Sequence, residues 1–397
     1  MAGGAHQAMR LFAAGCHDAD IAVIEGVMGL FDGSSGSCPE SSTSGVARLL
    51  TAPVLVVFGA RGMAETAGPL MRGLVQHDPL VNIVGAIPCG TGSETHAASL
   101  VKALAASEVD CLGYLQRDER LAMSERHLGL IPDAEMAADE HLANWTRAAE
   151  TLDLDRIIQL AEAARDLPLP EEWFVGTEIA QTQDQPVLAV AWDAAFSFYY
   201  QDSLDALKRA GLRLVDFSPL LDTALPAGTC GVYLGGGFPE LYAAQLSANK
   251  PMLACLRQAW SGQMPFLAEC GGYMSLCETL TDFDGQVWPM AGIVPAQAIM
   301  GKKLAALGYR RGLTCQAGFL GPAGTEIRGH EFHYSKLTDQ PQQAAIKMAR
   351  PGQEDLGALA GFAANNLVAS YLHLYLPGHP EAVEKFAAAC RAFQEQA

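Results

Sequence analysis

The sequence predicts an α/β protein built from two parallel-sheet domains. Three observations carry that prediction. Short β-branched apolar runs alternate with amphipathic stretches in the first half, the pattern of parallel strands covered on both faces by helices. The alternation stops at a segment rich in proline, acid and glutamine, and then begins again. At 397 residues, 50% of them hydrophobic, the chain is long for one core and sufficient for two.

Within residues 1–165, Ile21-Ala22-Val23-Ile24, Pro53-Val54-Leu55-Val56-Val57 and Val81-Asn82-Ile83-Val84-Gly85-Ala86-Ile87 read as buried strands. Residues 166–186 contain Pro168, Pro170 and Pro186 and the polar run 177–185, which suits an exposed interdomain linker. The second domain, 187–397, is predicted to hold a strand at 186–191, a helix at 202–210, and strands at 212–217 and 231–234, the last ending in Gly235-Gly236-Gly237. Next comes Pro265-Phe266-Leu267-Ala268-Glu269-Cys270-Gly271-Gly272, an apolar run that delivers a cysteine into two glycines and continues as a helical pattern. Strand, sharp turn and helix in that order make a nucleophile elbow. Val368-Ala369-Ser370-Tyr371-Leu372-His373 reads as a late strand.

A formal net charge of −18 argues against partners that demand clustered Lys and Arg, namely nucleic acid and an anionic membrane surface, and reads first as solubility. The ten cysteines stand singly, with no Cys-x-x-Cys pair, so neither a zinc ribbon nor a disulfide framework is expected. No apolar run approaches membrane-spanning length and the N-terminus lacks a secretory pattern. A cytoplasmic protein is expected.

Cys270 is either a buried small hydrophobe or a nucleophile. A helix pointing its N–H groups at the sulfur would lower the thiol pKa and favour thiolate. A cysteine nucleophile needs a base and oxyanion donors. His373 is the best-placed base, and the backbone N–H groups of Gly236, Gly237 and Gly271 are the candidate oxyanion hole. His330 and His333 are spaced by three and lack the His-Glu-x-x-His pattern, so packing is favoured over metal binding. The aromatics of Asp193-Ala194-Ala195-Phe196-Ser197-Phe198-Tyr199-Tyr200 read as core or domain interface.

Four ordered motifs now stand together: 233–241, Ala268-Glu269-Cys270-Gly271-Gly272, Gly329-His330-Glu331-Phe332-His333-Tyr334-Ser335 and Ser370-Tyr371-Leu372-His373-Leu374. This set resembles the class I glutamine amidotransferase domain of the cobyrinate (hydrogenobyrinate) a,c-diamide synthases and covers most of the second half. The resemblance implies that Cys270 attacks the carboxamide of glutamine and that His373 activates the thiol and protonates departing ammonia. Many class I members carry a carboxylate two residues after the histidine, where this chain has Tyr375. A Cys-His dyad is therefore expected, with its orienting group unassigned.

In the first half, Ile24-Glu25-Gly26-Val27-Met28-Gly29-Leu30-Phe31-Asp32-Gly33 is similar to a motif of the same synthases, whose first domain is a dethiobiotin synthetase-like, P-loop amidoligase. Gly62-Met63-Ala64, Gly113-Tyr114-Leu115 and Glu125-Arg126-His127-Leu128-Gly129-Leu130 agree with it. By resemblance Glu25 is a Mg2+ ligand and Asp32 acts near the metal or the substrate carboxylate, although Asp before Gly is also an ordinary turn. ATP would phosphorylate a corrinoid carboxylate and ammonia would displace the phosphate. The phosphate-cradling Gly-x-x-x-x-Gly-Lys-[Ser/Thr] loop is absent, and in the family it lies upstream of the equivalent of Met1, so the chain is expected to begin inside that domain. Two positions depart from the pattern this resemblance implies: Phe58-Gly59 stands where an acid is usual, and Cys89 where an asparagine is expected.

The implied function is ATP- and glutamine-dependent amidation of the a and c carboxylates of cobyrinate or hydrogenobyrinate. A glutaminase or ammonia-supplying subunit, and a related enzyme amidating another tetrapyrrole, remain open alternatives. Glutamine, ATP and a corrinoid are the expected partners, Mg2+ the expected cofactor, and a homodimer is compatible with them.

Overall fold

A computed structural model describes residues 4–33, 42–121, 139–170, 173, 179–338, 342–349, 357–364 and 366–396. The chain divides into two compact units, Gly3–Gly176 and Thr177–Ala397. The motif 125–130 and part of the expected linker lie outside the described residues.

In the first unit β1 (Val54–Gly59), β2 (Ile83–Thr91) and β3 (Leu115–Gln116) form a parallel sheet in that order. Ser93 caps the helix Glu94–Ala105 by accepting from the His96 N–H, which meets one of the donors that a helix start leaves unpaired. The buried side chains fall in two small clusters, one around Met71, Ala86, Leu104 and Val109, the other around Ala60, Ala67 and Leu100.

The expected strand at 21–24 does not form. Those residues lie in irregular, exposed chain, with Val23 at 90% and Val27 at 80% exposure. A parallel strand is held by hydrogen bonds to neighbours, and β1 pairs in the described sheet only with β2. An apolar run supplies the hydrophobic term but not that ladder, so periodicity alone misplaced it.

The second unit contains β4 (Val187–Ala191), β5 (Arg213–Phe217), β6 (Thr229–Leu234), β7 (Phe266–Glu269), β8 (Cys277–Thr281), β9 (Val287–Pro289), β10 (Val294–Ile299), β11 (Ala306–Thr314), β12 (Glu326–His333), β13 (Lys336–Leu337), β14 (Ile346–Ala349), β15 (Ala358–Ala360), β16 (Phe362–Ala364), β17 (Leu367–Ser370) and β18 (His373–Leu374). Its central sheet runs β16-β17-β7-β6-β4-β5 and is parallel apart from β16. β4 and β7 are buried at every position, as strands covered on both faces must be. Two extensive hydrophobic clusters fill the unit, one including Val232, Phe266 and Tyr273, the other Leu188, Leu267 and Phe386.

The prediction of parallel sheets alone is incomplete. A five-stranded sheet β15-β14-β11-β12-β18 is antiparallel throughout, and the four-stranded sheet β13-β10-β8-β9 is mixed. The late strand is also split: β17 ends at Ser370, and His373 belongs to β18, antiparallel to β12.

Candidate active site

β7 carries an unbroken buried run to Glu269 and stops because the next residue turns sharply. Cys270 has φ +47° and ψ −102°, a conformation that costs a non-glycine residue about 1–3 kcal/mol and recurs where function requires it. Its N–H donates to the Ser370 carbonyl at 2.8 Å, fixing the elbow to the end of β17. The glycines after it are required by space. A Cβ on Gly271 would lie 2.9 Å from Pro239 Cδ and 3.0 Å from the Gly237 nitrogen, and one on Gly272 would strike the Leu234 backbone.

The Gly235-Gly236-Gly237 turn ends β6 beside this elbow. A Cβ on Gly236 would sit 2.5 Å from His373 Cε1, so the glycine makes room for the imidazole. The histidine, the glycine turn and the elbow therefore converge at the carboxyl ends of β6, β7 and β17. The proposed oxyanion set needs one correction. The Gly236 N–H donates to the Phe198 carbonyl at 3.3 Å and is engaged, whereas among the described residues no backbone acceptor takes the N–H of Gly237 or Gly271.

His373 is buried and stacks on His330 with ring centroids 4.9 Å apart. His330 Nδ1 shares a 2.8 Å hydrogen bond with the Tyr200 hydroxyl. His333 stacks instead on Tyr371 at 3.9 Å, with its Nδ1 2.9 Å from the Ser335 carbonyl. Glu331 accepts from Arg310 Nε at 2.8 Å. Phe196 is fully buried and Tyr199 donates to the Ala191 carbonyl, so much of the 193–200 motif is core.

Protonation differs from the sequence expectation. Burial, reinforced by the charge of Glu240 and then of Glu269 and Glu331, pushes the Cys270 thiol up to about 12 against the lowering pull of the Gly271 N–H. Burial, with His330 and His333 nearby, drives His373 down to about 3. Both shifts run toward a neutral thiol and a neutral imidazole and away from a preformed thiolate. The helix after Cys270 is only Gly271–Leu276, too short for its N-terminus to outweigh burial.

Sequence reasoning missed two carboxylates. Glu269, 2% exposed, accepts from the Tyr233 hydroxyl at 3.0 Å and from the Leu374 N–H at 3.1 Å, and burial raises its pKa to about 8. Glu240 is buried in the turn beside the elbow. The signal for both was an acid inside or directly after an otherwise apolar and glycine run. Tyr375 donates to Asp202 at 2.5 Å, so this residue ties the histidine loop to the helix Gln201–Arg209.

Glu25 is exposed and lies at the end of no strand. The Asp32 N–H donates to the Gly29 carbonyl at 2.9 Å and its carboxylate packs on Gly29, which is turn geometry. No group of three or more His, Cys, Asp or Glu suited to a metal occurs among the described residues. The arrangement around Glu25 and Asp32 does not fit Mg2+, and no step is routed through it.

Residues 187–380 match the family model of the CobB/CobQ-like glutamine amidotransferase domain, which gives the class of the second unit. A cobyrinate a,c-diamide synthase of Dehalococcoides mccartyi (strain CBDB1) is 42% identical over 384 residues, covering 95% of this chain and 82% of that protein. Its counterpart in Synechocystis sp. is 39% identical over 378 residues, covering 94% and 78%. The chain belongs to the cobyrinate a,c-diamide synthase family. Among solved structures, PurLQS from Thermotoga maritima overlays 53% of this chain and 99% of that one, at 14% identity and TM-score 0.39.

Proposed function

We propose that this chain amidates the a and c side-chain carboxylates of cobyrinate or hydrogenobyrinate, using ATP as co-substrate and ammonia that Cys270 and His373 release from glutamine. The observation that carries the glutaminase half is the strained Cys270 elbow beside a buried imidazole seated over Gly236. As Sγ bonds to the carboxamide carbon, its proton passes to neutral His373, and the oxygen gains negative charge facing the Gly237 and Gly271 N–H groups. Collapse breaks the C–N bond while the imidazolium returns its proton to the leaving nitrogen, so ammonia departs and a thioester remains. Water then adds to the thioester as His373 takes its proton; the C–S bond breaks, the thiol is reprotonated and glutamate leaves. Neutral partners suit this sequence, because each proton moves only when a bond forms or breaks.

The test is Cys270→Ala in the full chain. Glutamine-dependent amidation and glutamine hydrolysis should fall to background while ammonia-dependent amidation persists. Retained hydrolysis removes Cys270 from the mechanism. If the unsubstituted chain amidates nothing even with ammonia and ATP, its role is ammonia supply alone.

A further inference from the structure

Glutamine differs from most carboxamides by its α-ammonium group, and an enzyme selective for it must offer that cation an anion. The turn after Gly237 holds one. Glu240 is 6% exposed, and Pro239, its neighbour in the chain, packs on Gly271, the residue after the nucleophile. A buried carboxylate is costly unless paired. Among the described residues no Lys, Arg or His forms an ion pair with Glu240, and the hydrogen bond recorded for its carboxylate comes from its own backbone N–H. The neighbouring acids are accounted for otherwise: Glu269 by Tyr233 and the Leu374 N–H, Glu331 by Arg310. Among these three acids only Glu240 lacks a partner from another residue among the described residues, and it sits in the turn that packs on the residue after the nucleophile. That placement fits a group that holds substrate at the sulfur rather than one that orients the imidazole.

We propose that Glu240 receives the α-ammonium group of glutamine and sets the selectivity of this site for an α-amino acid amide. The inference rests on the assignment of Cys270 to glutamine chemistry. Substrate supplies the missing cation, and the ion pair forms where water is already excluded.

The experiment compares binding of glutamine and of glutaramate, which is glutamine without its amino group, to Cys270→Ala and to the Cys270→Ala/Glu240→Gln double variant of the full chain by calorimetry. The double variant should bind glutamine on the order of 10- to 100-fold more weakly, the span of a charge-assisted hydrogen bond, and glutaramate equally well. Unchanged preference for glutamine overturns the proposal. Equal weakening of both ligands also overturns it, by assigning the carboxyl to the carboxamide end. If Glu240→Gln fails to fold, Glu240→Asp keeps the charge and must keep the preference; parity of the two ligands there sinks the idea. Hydrolysis of glutamine by Cys270→Ala instead defeats the underlying reading and leaves the binding comparison standing by itself.

Discussion

At the scale of single residues, the elbow was legible because only glycine tolerates the close approaches that flank Cys270, and glycines are visible in a sequence. Its protonation state was not legible. The thiol's rise to about 12 depends on burial and on Glu240, Glu269 and Glu331, which reach Cys270 from different parts of the fold. The sign gives a pH prediction: thiolate is the minor form at neutral pH and grows as pH rises. Alkylation of Cys270 by iodoacetamide, read peptide by peptide because Cys315 is exposed and would react as well, should therefore accelerate steadily to pH 9. A plateau near pH 7 would instead reveal a thiolate–imidazolium pair. Gly236 gives a second prediction. Its Cβ would stand 2.5 Å from His373 Cε1, inside any real contact, and the ring is backed by His330. Gly236→Ala should lower the kcat for glutamine hydrolysis by about 10- to 100-fold while costing only about 1–3 kcal/mol of stability, the usual range for overpacking. Unaltered kcat would show that the imidazole works from another position.

At the scale of elements, the sequence conveyed the strand into Cys270 and the strand before the histidine, but not the break between Ser370 and His373. The break is made by local bonds: Ser370 Oγ accepts from the Leu372 N–H at 3.2 Å, and His373 then pairs with His330 on β12. An apolar alternation has no way to announce a change of sheet. Glu269 joins the pieces, because one carboxylate on β7 bonds Tyr233 on β6 and the Leu374 N–H on β18. Glu269→Ala should leave both groups buried without a partner, lower stability by about 2–4 kcal/mol in urea unfolding and reduce glutamine hydrolysis. Glu269→Gln retains an acceptor for Leu374 and removes a carboxylate whose pKa is raised to about 8. A carboxylate with a raised folded pKa destabilises increasingly as pH climbs from its unfolded value of about 4.3 through the folded one. The glutamine variant should therefore gain stability relative to the parent between pH 5 and 8.5, and an opposite trend would mean that the ionised carboxylate is favoured in place.

At the scale of the whole molecule, the two units differ in what holds them. The second unit encloses two large apolar clusters and a six-stranded central sheet. The first has a three-stranded sheet, two small clusters, and an apolar run whose side chains meet water, with Val23, Val27 and Met28 exposed by 90%, 80% and 62%. Hydrophobic burial supplies most of the favourable folding energy, and regions with few buried contacts open at the least cost. The first unit should therefore yield first, and residues 21–28, held by no ladder of backbone bonds, should be cut earliest. Trace protease added to the intact chain, followed by mass spectrometry over time, reads this directly. Early products should end within 21–28 while the segment from 187 to 394 stays intact. Replacing Val23, Val27 and Met28 together by serine adds an independent check. Because these side chains bury little, the triple variant should melt at the parental temperature while losing part of its tendency to aggregate. A large drop in melting temperature would show that the run packs as a true strand in solution, and first cuts within the second unit would reverse the order of stability altogether.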